Sequence, residues 1–149
     1  MREIKFRAKV SEEQKELYQK INDPSNILIT CPTDFVYGDL HLKCKHPHIH
    51  TDSLSKYWID VDTIGQFTGL YDKNGTEIYE GDIFQSKKSK ETHVIVYDNK
   101  TCSFMAKQLY YEYGAYCYIE QEWIDVFGKV VIGNIYDNPE LMKGREETE

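Results

Sequence analysis

One stretch of the sequence decides the fold, and it reads IGQFTGLYDKNGTEIYEGDIF over residues 64–84. Two runs rich in β-branched and aromatic residues flank Asn74-Gly75, a pair that accepts the positive φ angles of a tight hairpin turn. Asp72 precedes this pair, where its carboxylate can accept hydrogen bonds from the backbone amides that follow. Gly81-Asp82 then interrupts the strand pattern a second time. The stretch therefore predicts three strands joined by two turns.

Length and composition favour a single domain with its own core. The chain has 149 residues, of which 40% are apolar, and this is enough to bury a core without a metal or a disulfide. We expect one domain over residues 1–149. It divides, if at all, into a strand-helix-strand lobe at 1–62 and a β-rich lobe at 63–143, followed by a flexible tail at 144–149.

Charge is distributed unevenly along the chain. The net charge is −7, from 18 Lys+Arg against 25 Asp+Glu. Residues 1–62 carry 9 basic and 10 acidic side chains, whereas residues 63–149 carry 9 and 15. An acidic second half repels a phosphate backbone on average, so nucleic-acid binding would need a local basic patch.

The cysteines and the hydropathy pattern predict a cytoplasmic protein with free thiols. Four cysteines are too few for a disulfide scaffold, and no two of them form a Cys-x-x-Cys pair. No basic start followed by an apolar core marks a signal peptide, and no apolar run approaches the ~20 residues of a membrane helix. We therefore expect no membrane association, and no motif implies a cofactor.

The first residues alternate between apolar and charged side chains, which predicts a strand over Ile4–Val10 with one wet face. Ser11 and Gln14 have the spacing of a capping box. A helix of about three turns should follow and should end at Asn22-Asp23-Pro24. Near the other end of the chain, Asn138-Pro139 is expected to cap a single helical turn that docks Leu141 and Met142.

The remaining pattern predicts a mainly β fold of the α+β type, a curled antiparallel sheet or small barrel with one N-terminal helix and a short C-terminal helical turn. Residues 102–113 fit a helix as well as an irregular strand pair. Further strands are expected at 27–29, 35–37, 57–61, 93–97, 116–119, 123–127 and 130–136.

Three blocks of the sequence carry a family resemblance. They are residues 1–8 (MREIKFRA), residues 63–83 around TIGQFTGL, DKNG and IYEGDI, and residues 131–141 (VIGNIYDNPEL). Together they resemble the YopX family, whose members are encoded by phages and prophages of bacteria. The resemblance implies a β-rich fold with an SH3-like curl around Glu80–Ile83, and it implies no biochemical activity. The helical segment 11–21 and the histidine-rich loop depart from the family pattern.

Histidines cluster in a polar segment, residues 41–56, which we expect to form a loop or irregular hairpin. In an extended strand Cys44, His46, His48 and His50 share one face, and His41 lies close in sequence. Zinc accepts this mixture of nitrogen and sulfur ligands. Same-face residues lie about 6–7 Å apart, so a site needs a bend at Pro47 or ligands from a second chain. The alternative is a polar loop whose histidines titrate near neutrality.

Tyrosines predict a protein interface over residues 110–118. Aromatic platforms for single-stranded nucleic acid usually come with basic residues. Here Glu112 interrupts the run, Glu120 and Glu122 follow it, and Lys107 is the nearby cation. We expect an interface formed by Tyr110, Tyr111, Tyr113 and Tyr116, with a base-stacking role as the alternative.

The one cationic run in the sequence consists of Lys87, Lys88 and Lys90. They could contact phosphate, although three lysines in a turn usually guard a solvated sheet edge. No nucleophile elbow, P-loop, zinc-protease motif or dinucleotide fingerprint occurs. Glu80 and Asp82 flank a turn glycine with no partner fixed nearby, so we expect no catalytic residues and no enzyme.

The sequence thus favours a non-catalytic, protein-binding accessory module of a phage or prophage, which binds itself as a homo-oligomer and an unidentified host or phage protein. Two alternatives stay open. One is a nucleic-acid-binding protein of phage DNA metabolism or regulation, and the other is a metal-binding module that uses the histidine loop at 41–50.

Overall fold

A computed structural model of the chain describes residues 3–21, 35–53, 55–110 and 115–143. The chain divides into two compact units, Glu3–Gln66 and Phe67–Glu149. The described strands belong to two antiparallel sheets, and helices are few. The predicted mainly β class is confirmed. The predicted small barrel is not found, because no sheet closes on itself among the described residues.

The first unit is built on β1 (Phe6–Lys9), β2 (Phe35–His41), β3 (His48–His50) and β4 (Lys56–Trp58). These strands lie in the order β4-β3-β2-β1, and each pairs antiparallel with its neighbour. The core consists of side chains at 5% exposure or less: Ala8, Val10, Val36, Ile49 and Ile59. The predicted first strand and the strand from Phe35 are confirmed, whereas the predicted strand at 27–29 lies outside the described residues.

Helix α1 (Glu12–Ile21) follows β1 as predicted. The Ser11 hydroxyl accepts a hydrogen bond from the backbone N–H of Gln14 at 3.3 Å, which is one half of a capping box. The Gln14 side chain, 5% exposed, instead accepts the backbone N–H of Trp58. Ser11 N–H donates to the Trp58 carbonyl at 2.8 Å. The start of α1 is therefore tied to β4.

The central hairpin has the predicted form. β5 (Gly65–Tyr71) begins in the first unit and pairs in the second with β6 (Glu77–Tyr79). Oδ1 of Asp72 accepts the backbone N–H groups of Asn74 and Thr76 at 2.7 and 2.9 Å. Its Oδ2 accepts the N–H of Val131 at 3.0 Å. One carboxylate thus closes the turn and holds a strand from much later in the chain.

The second unit contains a five-stranded sheet in the order β10-β9-β8-β7-β11. Its strands are β7 (Asp82–Ser86), β8 (Thr92–Asp98), β9 (Ser103–Gln108), β10 (Tyr116–Tyr118) and β11 (Lys129–Asn134). The ambiguous residues 103–108 are thus a strand. One face of the sheet packs a core that includes Phe84, Ile95 and Ala106, and the other packs Ile83 and Val94.

The segment predicted as a strand at 123–127 is a helix, so that prediction was wrong. α2 (Gln121–Phe127) buries Ile124 completely in the core of the second unit. It ends at Gly128, whose φ of 58° is left-handed and whose N–H bonds the carbonyls of Ile124 and Asp125. Tertiary packing and this glycine outweigh the high β propensity of the segment.

A single 3₁₀ turn at Pro139–Met142 follows β11 as predicted. Leu141 packs against the core of the second unit, whereas Met142 is 40% exposed and does not dock as expected. Asn138 does not cap the turn through its side chain. Its Oδ1 instead accepts the N–H of Asn134 at 3.3 Å, so the side chain is engaged with the end of β11.

Candidate functional site

The β2–β3 hairpin separates apolar from imidazole side chains. Leu40 pairs with Ile49, and His41 pairs directly with His48. Since successive side chains of a strand point to opposite faces, Ile49 enters the core while His48 and His50 share the other face with His41. Ile49 is fully buried. The core residue between the two histidines therefore fixes the face on which they stand.

Three imidazoles on this face lie within contact distance of one another. Nε2 of His48 is 3.1 Å from Nε2 of His50. The ring of His41 stacks on His48 with centroids 5.1 Å apart and lies 4.7 Å from the centroid of His50. We call His41, His48 and His50 the histidine triad. His41 and His48 also line an open cavity of about 470 Å³, so these two members of the triad are accessible from it.

Hydrogen bonding fixes the tautomer of His48. Its Nδ1 lies 2.9 Å from the backbone carbonyl oxygen of His46, which can only accept. Nδ1 therefore carries the proton and donates it. In the neutral ring Nε2 is then unprotonated, and its lone pair is directed at His50. The sulfur of Cys44 lies 3.4 Å from the same Nδ1, away from Nε2.

Burial lowers the pKa of His50 below its ordinary value of 6.5. Positive charge on His41, on His48 and on Lys56 would lower it further, while Asp39 raises it. Both flanking charged residues pair directly with His50 across the sheet, Asp39 on β2 and Lys56 on β4. Mutual repulsion thus favours a neutral His50 imidazole.

The imidazole of His46 and the thiol of Cys44 do not take part in the ring contacts of the triad. His46 stacks on Trp58 with centroids 4.1 Å apart, and its Nδ1 lies 3.5 Å from a carboxylate oxygen of Glu13. The exposed Cys44 sulfur donates to the carbonyl of His46 at 3.0 Å. The strand parity that grouped these residues fails because residues 43–46 form bends between β2 and β3. Metal binding by Cys44, His46, His48 and His50 stays a prediction.

In the described ranges, no three His, Cys, Asp or Glu side chains converge on a single point in the arrangement seen here. In the histidine triad, Nε2 of His48 and Nε2 of His50 face each other, and the ring of His41 is stacked on His48. Of the triad, His41 is the residue that the parity argument left out. The direct pairing of His41 with His48 was the missing information, and it requires knowledge of the hairpin register.

Exposed tyrosines lie along the β10 edge of the second sheet. Tyr116 and Tyr118 are 55% and 63% exposed, and Tyr110 is 50% exposed. The Tyr110 hydroxyl donates to the carbonyl of Leu141. Lys107 on β9 pairs with Tyr116 on β10, and its Nζ lies 5.9 Å from the ring centroid of Tyr116. Tyr111 and Tyr113 lie outside the described residues, so the predicted interface stays a prediction.

A second cavity, of about 550 Å³, lies beside this edge. Tyr116 and Tyr97 line it together with Lys100, Lys107 and Asp98. It thus combines two aromatic rings with two cations and one anion. We call this cavity and β10 the tyrosine edge.

The predicted cationic turn connects β7 and β8. Lys87, Lys88 and Lys90 are all exposed. The buried hydroxyl of Ser86 accepts the N–H groups of Lys88 and Ser89, both at 3.3 Å. The turn is thereby held in a defined shape while its lysines face solvent.

A buried amine lies within the second unit, and sequence reasoning missed it. Lys129 is 1% exposed, and its Nζ lies 4.7 Å from the ring centroid of Trp123. Burial lowers its pKa, while Glu91, with a carboxylate oxygen 3.9 Å away, raises it. Nζ also lies 3.4 Å from Nδ1 of His93. Lys129 and His93 are 36 residues apart, so no local motif joins them.

A family model described as YopX protein matches residues 5–143. The chain belongs to the YopX family. The YopX match covers nearly the whole chain, including the second and third of the sequence blocks, so the resemblance seen in the sequence is confirmed. Family membership assigns no activity to the histidine triad, the tyrosine edge or Lys129.

One solved structure similar to this YopX chain is that of protein EF1440 from Enterococcus faecalis. The two chains are 28% identical, and the alignment covers 96% of this chain and 100% of the other, with a TM-score of 0.49. A comparison with curated proteins finds no match. In the part of the YopX chain that the structure describes, no helix is long and apolar enough to cross a membrane.

Proposed function

We propose that this YopX protein is a non-catalytic accessory module, encoded by a phage or prophage, that acts by binding other proteins through the tyrosine edge. One partner is a second copy of the chain, and another is a host or phage protein in the bacterial cytoplasm. The observation that carries the proposal is the exposure of Tyr116 and Tyr118 on an edge strand of three residues.

The position of β10 supports binding by strand edge and side chains together. Within the described residues β10 pairs with β9 alone. A strand edge presents backbone donors and acceptors to an incoming chain. Tyr116 and Tyr118 alternate with the half-buried Cys117, so their rings share one face. Tyrosine combines a large apolar ring with a hydrogen-bonding hydroxyl, and it is enriched in protein interfaces.

Charge complementarity supports self-association. The cavity beside Tyr116 holds Lys100 and Lys107 against a single carboxylate, Asp98. The chain as a whole is acidic, with a net charge of −7. A mildly cationic cavity on an acidic protein suits an acidic patch of a second copy.

Light scattering coupled to size-exclusion chromatography tests the proposal. The wild-type chain should elute as a dimer or larger assembly, and the double variant Tyr116→Ala/Tyr118→Ala should shift to the monomer mass. Tyr37→Ala removes a comparably exposed tyrosine, 44% exposed, from the first unit and serves as the control. A wild-type monomer at every concentration removes the self-association claim. Affinity capture with the same variants, read by mass spectrometry, tests the second partner.

Nucleic-acid binding is a second candidate, supported by the register of the second sheet. Leu109 N–H donates to the carbonyl of Thr92 at 2.9 Å, which brings Tyr110 to the sheet end where the Lys87–Lys90 turn lies. Cations beside an aromatic ring are a feature of single-strand binders. Fluorescent single- and double-stranded DNA at low salt tests this candidate. Binding should weaken in Lys87→Gln/Lys88→Gln but not in Lys56→Gln, and the absence of binding at low salt removes it.

A further inference from the structure

We propose that the histidine triad binds a divalent transition-metal ion, with Nε2 of His48 and Nε2 of His50 as two ligands and His41 as the third. Neutral imidazole suits zinc, copper, nickel and iron, whereas magnesium and calcium prefer oxygen ligands. This site shares no residue with the tyrosine edge, so the test of metal binding is independent of the test of the proposed protein-binding function.

The distance between the two nitrogens fits a shared ion. Imidazole nitrogens bind zinc at about 2.0–2.1 Å, so two of them at a tetrahedral ion lie about 3.3 Å apart, and two at right angles about 3.0 Å apart. Nε2 of His48 and Nε2 of His50 are 3.1 Å apart, within this range. Without an ion, the same distance is an N–H···N hydrogen bond in which His50 donates to His48. When an ion binds, His50 adopts the other neutral tautomer, in which the proton lies on Nδ1 and Nε2 is free to coordinate.

The tautomer of His48 is the one that a metal ligand needs. Its Nδ1–H donates to the carbonyl oxygen of His46 at 2.9 Å, which leaves Nε2 unprotonated, with a lone pair that an ion can take in place of the His50 N–H. Ligating histidines commonly donate their other N–H to a backbone carbonyl or carboxylate, which orients the ring and raises its basicity. This outer contact is already made in the absence of an ion.

His41 completes the set after a side-chain rotation. It is exposed, and it pairs directly with His48 across the hairpin. Its ring centroid lies 4.7 Å from that of His50. The stacked orientation does not direct a nitrogen at the other two, which is why the three rings do not converge as they stand. Its backbone is held by the Leu40–Ile49 pair, so rotation about side-chain bonds alone can bring a nitrogen toward the ion.

The surrounding charges leave the triad competent to bind a cation. Asp39 favours positive charge near His50, and Lys56 on the opposite neighbouring strand opposes it. Cys44 contacts the Nδ1 side of His48 rather than the Nε2 side. We therefore expect nitrogen ligands without sulfur.

Calorimetric titration of the full-length protein, purified without a histidine tag, with zinc chloride and nickel chloride at pH 7.5 tests the site. One ion should bind per chain. His48→Ala and His50→Ala should each weaken binding at least about 100-fold, since loss of an outer-shell partner alone costs 10–100-fold. His41→Ala should weaken it to a smaller extent. His46→Ala keeps the carbonyl that holds His48, and it should bind like wild type, as should Cys44→Ser.

X-ray absorption on the zinc-loaded protein gives a readout that does not depend on folding of the variants. Two or three nitrogen scatterers at about 2.0–2.1 Å, without sulfur near 2.3 Å, are expected. A sulfur scatterer that disappears in Cys44→Ser would instead assign the ion to the sequence-predicted set. Wild-type binding no tighter than millimolar, or equal binding by the His48→Ala and His50→Ala variants when circular dichroism shows them folded, overturns the proposal.

Discussion

Nζ of Lys129 lies 3.4 Å from Nδ1 of His93, and both side chains are buried, at 1% and 4% exposure. Lys129 can only donate in this contact, so Nδ1 of His93 accepts and the imidazole is neutral. The ring of His93 is stacked on Phe84, with centroids 5.6 Å apart. A cation donor and a neutral base are therefore enclosed by aromatic side chains in the core of the second unit.

The first prediction concerns the amine of Lys129. Lys129→Met replaces a costly buried amine by an apolar chain of similar length, so unfolding free energy should stay within about 1 kcal/mol of wild type or increase. Lys129→Ala also removes the buried methylene groups of the side chain, and it should lose about 2–4 kcal/mol. Urea denaturation measures both. A Met variant as unstable as the Ala variant would show that the amine itself stabilises the fold.

The second prediction concerns acid stability. Burial and the charge of Lys129 lower the pKa of His93 from 6.5 to about 4. Between these two pH values the unfolded chain binds the additional proton, so stability rises with pH and is lost as pH falls from about 6.5 to 4. The loss amounts to about 2–3 kcal/mol.

His93→Gln should flatten this pH dependence, because glutamine does not titrate. His46→Gln removes an imidazole from a partly exposed position of the first unit and is the matched control. Denaturation midpoints at pH 4.5, 5.5, 6.5 and 7.5 measure the slope. Equal slopes for wild type and His93→Gln would assign the acid sensitivity to other groups.

The third prediction concerns the tie between α1 and β4. Gln14→Ala deletes the acceptor of the Trp58 backbone N–H, and an unsatisfied buried donor costs about 1–3 kcal/mol. Gln19→Ala, on an exposed position of the same helix, is the matched control and should change stability by no more than about 0.5 kcal/mol. Thermal melts report the difference, and indistinguishable melting temperatures would contradict it.

The fourth prediction separates two costs of glycine replacement. Gly38 and Gly75 both have positive φ angles, 154° and 85°. A Cβ on Gly38 would lie 1.9 Å from the carbonyl oxygen of His50, whereas a Cβ on Gly75 meets nothing within 4 Å. Gly75→Ala should therefore cost about 1 kcal/mol through backbone strain alone.

Gly38→Ala should cost about 3 kcal/mol or more, because β2 and β3 must separate as well. Chemical denaturation of both variants measures the two values. Similar losses in the two variants would mean that the hairpin accommodates the methyl group without moving His50.

Local chemistry accounts for what the sequence predicted correctly. Asp72 and Asn74-Gly75 define a turn within a few residues of one another, so their geometry follows from the chain itself. The alternation of Phe6 and Ala8 with charged residues likewise needs no distant partner. These features gave the first strand and the central hairpin.

Features that depend on residues far apart in the sequence could not be predicted from local patterns. The helix α2 depends on the burial of Ile124 in a core whose other members come from several strands. The histidine triad depends on which residue of β2 faces His48, and the contact of Lys129 with His93 crosses the sheet. The alternation of side chains along one strand shows which residues share a face. It does not show which residues of a neighbouring strand lie opposite them.

The carboxylate of Asp72 carries a consequence for the order of folding. It joins a local turn to Val131, a residue 59 positions further along the chain. On a ribosome that adds about 5–20 residues per second, the hairpin emerges several seconds before the strand that satisfies its second oxygen. The turn can thus form early, but its hydrogen bond to Val131 can form only after β11 has been synthesised. That late bond stabilises a hairpin encoded near the middle of the chain.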